Sequence, residues 1–590
     1  MEEKRKTQSL ISGAMLLMIS TVLVHLINIF FKIPITNIIG EIGRGYFTSA
    51  YEIYTPIYAI SMAGLPVALS KMVSERIATG KFNEVRLIKN IARNIFIITG
   101  TIGTILLIAL AKPFSDYVIG SPNTFYSILC IAPSIFICCL MSTYRGYYQG
   151  LRNMGPTSYS QVFEVIGKLV FGVLLAKLVV NYGVSQFEET GIVFGRACTN
   201  YNEIIRACAP YSSAAAITGV TIGSLVSLIY LVILFKVKGD GIKVEELYTS
   251  PEPDSKKSLR HDLIAIMIPI ATGSLVLNIT NFIDSITIQS RLITAISLGE
   301  ETIREIYPEI GILGIATEDI KDFLYGCYGV GLDFRNLIPA VIMSLGVSAI
   351  PVLAASYSTN DVAKMEDAIH TVVKTSTLLS VPTGFCMAAL ATPILKILYP
   401  TSQSLGISSK FVFVFGIIAF LISICTPINN MLQAIGRADV PMKTMILAAA
   451  VKIALNYFLV GLPSINIYGA LIGTVAFYVI CIVINSIVLI RETKVKIKWV
   501  DSLVKPSVVG VLSGLAAYGC NALITPKLTA LNEKISINIS LFSCAISLIF
   551  AIVVWAVLLG LFKVLTKNDV LSLPKGQKIA KVLEKLRILG

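Results

Sequence analysis

The chain alternates long apolar runs with short polar breaks, and its apolar runs are of membrane length. A helix needs about 20 apolar residues to cross roughly 30 Å of hydrocarbon. About fourteen runs satisfy that length, with cores near 10–31, 46–70, 91–111, 123–144, 159–180, 212–235, 262–290, 325–356, 371–395, 409–432, 442–461, 468–490, 505–524 and 537–562. The first lacks a small-residue cleavage site, since Phe31-Lys32-Ile33-Pro34 follows it, so it is expected to stay as a helix.

An internal echo organises these runs. Gln149-Gly150-Leu151-Arg152 has Lys168 nineteen residues after the Gln, and Gln433-Ala434-Ile435-Gly436 has Lys452 nineteen after its Gln, a displacement of 284 positions. Gly64-Leu65-Pro66-Val67 returns loosely as Ala349-Ile350-Pro351-Val352. Six helices per repeat return the chain to its starting side, so the copies share an orientation about an axis along the membrane normal. The expected fold class is all-α and polytopic: about fourteen transmembrane helices in two six-helix lobes, plus two extra C-terminal helices. The expected divisions are an N-terminal lobe at 1–236, a cytoplasmic linker at 237–261, a C-terminal lobe at 262–490, helices thirteen and fourteen at 491–562, and a tail at 563–590. In that tail Ile579, Val582, Leu583 and Leu586 oppose Lys578, Lys581, Lys585 and Arg587, the pattern of an amphipathic helix lying on anionic lipid, with a partner-binding helix as the competing reading.

Composition agrees with the pattern. The 590 residues are 55% hydrophobic and 14% charged, with mean hydropathy +0.77, whereas a soluble surface needs about a quarter of its residues charged. With the N-terminus inside, about 33 of the 49 basic residues fall on the cytoplasmic side. The net charge of +14 therefore reports orientation in a cytoplasmic membrane, with both termini inside, and implies no nucleic-acid partner. Three histidines and eleven cysteines show no metal-ligand spacing, so no metal or other cofactor is expected. Cys198 and Cys208, in the polar stretch Asn181 to Pro210, are equally compatible with a disulfide and with two thiols. That stretch and Leu292 to Phe323 are expected as outer loops.

Ionisable groups inside apolar helices cost at least about 3 kcal/mol and mark functional positions. Glu52, Glu164, Lys168, Asp284, Asp333, Arg335 and Lys452 are such groups, with Asn281 beside them. Glu164 and Lys168, four residues apart, suit mutual neutralisation. Arg335, Lys168, Lys452 and Asn281 are the candidates for binding a phosphate-bearing substrate. Asp284, Glu52, Glu164 and Asp333 are the candidate cavity carboxylates, available for coupling to an ion gradient or to membrane potential.

Several stretches resemble a known family: Gly64 to Glu75, Arg145-Gly146-Tyr147-Tyr148-Gln149-Gly150 with Pro156, Asn281-Phe282-Ile283-Asp284, and Val451 to Tyr457 followed by Pro463 to Ala470. They are similar to polysaccharide-biosynthesis proteins of the stage V sporulation protein B type, related to the MurJ-type lipid II flippases of the multidrug/oligosaccharidyl-lipid/polysaccharide exporter superfamily. The resemblance implies two lobes around a cavity and a monomer that carries out no covalent chemistry. It implies movement of an undecaprenyl-pyrophosphate-linked oligosaccharide, a peptidoglycan or spore-cortex precursor, by alternating access. The family's essential arginines in helices one, two and eight have one counterpart here, Arg335. Helix one offers Lys32, and helix two carries Glu52 with no arginine. A cation-coupled multidrug exporter is the neighbouring alternative. A membrane-embedded glycosyltransferase is a remoter one, because such an enzyme needs carboxylates or histidines gathered on a sizeable loop.

Overall fold

The computed structural model describes residues 10–62, 64–339, 342, 353, 356–400, 402, 404–496, 498–532 and 538–564. The amphipathic tail expected at 579–587 and the Pro351 copy of the second echo lie outside them. All fourteen expected cores fall on described helix, in full or in part. Among the described residues nine helices are long and apolar enough to cross a membrane. The bent pair Val362–Ala389 and Ala391–Leu398, meeting at 71°, makes a tenth. Gly155–Thr190, which carries Glu164, Lys168 and Lys177, falls outside that set.

The chain divides into two compact units, Met1–Ser290 with Lys321–Gly326, and Arg291–Ile320 with Cys327–Gly590. The division therefore falls at the end of the run expected as helix seven rather than in the 237–261 linker. That run packs within the first unit, where Phe282 stacks on Phe114 at 5.8 Å and the Ser285 hydroxyl meets the Tyr325 hydroxyl at 2.8 Å.

In the first unit α1 (Leu10–Met62) joins two expected spans, broken in its geometry only at Gly40, whose φ of 69° favours glycine. There follow α2 (Leu65–Ala78), α3 (Phe82–Pro113), α4 (Thr124–Gly150), α5 (Gly155–Thr190) and α6 (Tyr201–Lys238). The expected outer loop at 181–210 is largely helix. Between α5 and α6 the chain makes only a two-stranded hairpin, pairing Ile192 with Ala197 and Val193 with Arg196. Asn200 then caps α6, its side chain accepting from the Glu203 amide at 3.0 Å while the Glu203 carboxylate accepts from the Thr199 amide at 2.6 Å. Cys198 and Cys208 are buried thiols.

The polar segment after α6 docks on the α2–α3 turn through a buried carboxylate. Glu84, 1% exposed, receives Arg76 at 2.7 Å and Lys81 at 2.9 Å, and Lys81 reaches on to Asp254 at 3.3 Å. Asn83 donates to Ser250 and to the Leu247 carbonyl at 3.1 and 3.2 Å. One short helix, α7 (Val244–Tyr248), lies in this segment.

From α8 (Lys256–Ile306), broken at Gly299, the chain passes into the second unit. The expected loop at 292–323 is again mostly helical, containing the end of α8 and a short α9 (Pro308–Ile312). Next come α10 (Ile320–Arg335), α11 (Val362–Ala389), α12 (Ala391–Leu398), α13 (Leu405–Ala434), α14 (Asp439–Val460), α15 (Tyr468–Thr493), α16 (Lys505–Asn532) and α17 (Ile539–Leu561). Phe542, Ile549, Ile552, Val553 and Val557 of α17 are all about half exposed or more, as a lipid-facing helix requires.

The echo is a structural repeat inside the two units. Helix α4 ends at Gly150 and α13 at Ala434. Positive φ follows at Arg152 (56°) and Gly436 (83°), and the next helices begin at Gly155 and Asp439. The closing hydrogen bonds match: Asn153 N donates to the Tyr148 carbonyl at 3.0 Å, and Arg437 N to the Leu432 carbonyl at 2.9 Å. Every one of these positions differs by 284. Each copy continues into a helix pressed against a glycine of the next. A Cβ on Gly219 would meet the Lys168 carbonyl at 3.0 Å, and a Cβ on Gly473 would meet the Lys452 carbonyl at 3.2 Å. The backbones of Lys168 and Lys452 thus have the same tight setting in their own units.

Candidate functional site

In the first unit the α4–α5 hairpin turns at Arg152, and Arg145 and Ser160, nearly equidistant from that turn, face each other across it. The Arg145 guanidinium donates through Nε to Ser160 Oγ at 2.8 Å, and through Nη2 to Glu164 Oε2 at 2.8 Å and to Ser227 Oγ at 3.2 Å. The pair is 14% and 27% exposed, so it is largely shielded from solvent. The neutralisation expected between Glu164 and Lys168 is thus supplied to Glu164 by Arg145.

Lys168, one turn further along α5, donates to Asn28 Oδ1 at 3.1 Å. Its ammonium lies 4.7 Å from the centroid of Phe31 and 5.4 Å from that of Tyr51. These rings begin a ladder along α1: Phe31 to Phe47 at 6.1 Å, Phe47 to Tyr51 at 5.1 Å, Tyr51 to Tyr54 at 5.9 Å and Tyr54 to Tyr58 at 5.3 Å. Ring faces attract the ammonium without cancelling its charge. Arg145, Glu164 and Lys168 thus share one interior of the first unit.

The other candidates are placed as follows. Glu52 is half-buried beside Tyr51, and Asp284 is buried on α8, whose Gln289 accepts a hydrogen bond from Ser49 at 3.0 Å. Asn281 is exposed. In the second unit Asp333 and Arg335 are half-buried in the last turn of α10, and Arg335 Nε is buried with no hydrogen-bond partner among the described residues. Lys452 is half-buried on α14, one turn before the fully buried Asn456. Lys168 and Glu164 are therefore brought together in one interior, while Arg335 and Lys452 belong to the other unit.

Two arginines escaped the sequence reading. Arg44, 2% exposed with its guanidinium 5.3 Å from the Phe47 ring, lies just past the Gly40 break, in the stretch an apolar scan leaves outside the spans. The part of α1 that follows the Gly40 break therefore begins with a buried arginine. Arg145 lies past the apolar core at 123–144, because α4 runs a turn and a half beyond that core. Its near-equal distance from the Arg152 turn to that of Ser160 was the available signal.

The described fold is that of a helical protein with several spans of membrane length, and its known relatives are as follows. Residues 10–188 match the family model for polysaccharide biosynthesis proteins, and residues 326–458 match that of MatE. The chain is a homologue of stage V sporulation protein B of Bacillus subtilis (strain 168), at 22% identity over 494 residues, 83% of this chain and 85% of that protein. It is equally a homologue of lipid II flippase MurJ of the same organism, at 22% over 498 residues, 82% of this chain and 83% of that one. A solved structure of lipid II flippase MurJ, in an inward closed conformation, has the same fold: TM-score 0.57 at 15% identity, covering 93% of this chain and 98% of that one.

Proposed function

We propose that this protein is a flippase that moves an undecaprenyl-pyrophosphate-linked oligosaccharide, lipid II or a related cell-wall or spore-cortex precursor, across the cytoplasmic membrane by alternating access. The observation that carries this reading is the match to stage V sporulation protein B and lipid II flippase MurJ along more than four-fifths of each. The chemistry of the interior supports it. Lys168 offers a positive charge held by an amide oxygen and two rings, and Lys452 stands at the repeat-related position of the second unit. In this reading Lys168, Lys452, Arg335 and Asn281 engage the pyrophosphate and its first sugar. Arg335, with a buried donor to offer, supplies the bidentate contact. Asp284, Glu52, Glu164 and Asp333 respond to an ion or to membrane potential, which is worth about 2.3 kcal/mol per charge per 100 mV. The protein works as a monomer with both termini inside, its tail on anionic lipid.

The test is a strain depleted of its native flippase. This chain should restore growth, and Arg335→Ala should not. Full rescue by Arg335→Ala, with unchanged translocation, removes Arg335 from the mechanism. The MatE match at 326–458 favours a second reading, a cation-coupled multidrug exporter. That reading requires energy-dependent efflux of cationic dyes, which a flippase does not.

A further inference from the structure

At the basic end of the first unit, α3, α6 and the segment after it border an open cavity of about 340 Å³ lined by Arg86, Lys89, Asn90, Phe235, Gly239 and Asp240. Arg86, Lys89 and Arg93 follow i, i+3, i+7 spacing and so share one face of α3. Arg86 is paired with Asp240. Among the described residues no carboxylate pairs with Lys89. Its ammonium instead lies 3.3 Å from the Phe235 centroid and within 6 Å of those of Tyr147 and Tyr144. A half-buried ammonium resting on rings retains N–H donors for an anion.

The depth of the cavity narrows the ligand. One turn past Arg93 the exposed apolar belt of α3 begins, at Ile97, Ile98, Ile102 and Ile105. On α6 the corresponding belt, Ile229 and Ile233, extends to Val237 beside the cavity. The cavity thus opens where lipid-facing surface gives way to polar surface, the level of phosphate headgroups.

We propose that this cavity is a binding site for a phosphate group, with Lys89 as its principal cation and Asn90 as a neutral donor. An anionic phospholipid and free phosphate both present that group. The site is separate from the interior around Lys168 and does not depend on the transported substrate.

The full-length protein, its Lys89→Met and Asn90→Leu variants and the charge-retaining Lys89→Arg are purified from a membrane containing phosphatidylglycerol. Bound lipid is counted by native mass spectrometry, and heat stability is read with and without inorganic phosphate. One lysine near a membrane surface is worth about fivefold in affinity. Retained phosphatidylglycerol should fall by about that factor in Lys89→Met, less in Asn90→Leu, and not in Lys89→Arg. That pattern identifies a lipid phosphate, whereas stabilisation by inorganic phosphate that is lost in Lys89→Met identifies the free anion. Lipid retention and phosphate response equal in the wild type, Lys89→Met and Asn90→Leu overturn the proposal. Should Lys89→Met fail to fold, Asn90→Leu, altering an exposed side chain, decides alone.

Discussion

Arg145 Nη2 lies 2.8 Å from Glu164 Oε2, joining the end of α4 to the third turn of α5 across the turn at Arg152. A carboxylate that sequence spacing assigns to a lysine on its own helix is thus claimed by an arginine nineteen residues earlier. Removing either partner leaves the other charged and poorly solvated. Arg145→Ala and Glu164→Gln should each lower thermal stability in detergent, and the double variant should lose less than the sum, with a coupling of about 1–3 kcal/mol. Additive losses would show the pair to be energetically idle.

The glycines behind the two lysines set a packing test. A Cβ on Gly219 would press on the Gly172 backbone and one on Gly473 on the Asn456 side chain, whereas Gly311 has open space around it. Gly219→Ala and Gly473→Ala should each cost about 1–3 kcal/mol through overpacking. Gly311→Ala should stay within about 0.5 kcal/mol. Thermal denaturation followed by tryptophan fluorescence or by aggregation checks the ranking.

Glu84 is the carboxylate on which the segment after α6 is fastened. Glu84→Gln leaves Arg76 and Lys81 with one negative partner fewer at a buried position, a loss of about 3 kcal/mol or more. Limited proteolysis should then cut between residues 239 and 262 faster than in the wild type, with the cores of α5 and α6 still protected. Equal cutting rates would mean that the segment is held by other contacts.

Much of this architecture could be read from the chain, because each helix core is an apolar run and because the Gln149 and Gln433 turns repeat in the same register. Lys168 and Lys452 were legible for the same reason. The ends of the helices were not. α5 and α6 extend through polar residues such as Asn181, Gln186 and Arg206, whose polarity an apolar scan reads as loop. α1 runs through the expected first loop because Gly40 absorbs the change of direction in a single residue. The same cause hid Arg44 and Arg145, both placed by helix that hydropathy alone does not reveal. Partner choice was hidden as well: that Arg145 rather than Lys168 answers Glu164 depends on how α4, α5 and α6 close on one another.

In the proposed function Lys168 and Lys452, at repeat-related positions, are each required for translocation of a phosphate-bearing lipid. Lipid-linked precursor exposed on the outer leaflet should be measured in flippase-depleted cells carrying the wild type, Lys168→Ala, Lys452→Ala or the corresponding arginine variants. The account predicts that both alanine variants, present in the membrane at wild-type levels, leave the precursor on the inner leaflet, while the arginine variants restore part of the flux. Normal outer-leaflet exposure in the Lys168→Ala, Lys452→Ala double variant would contradict it.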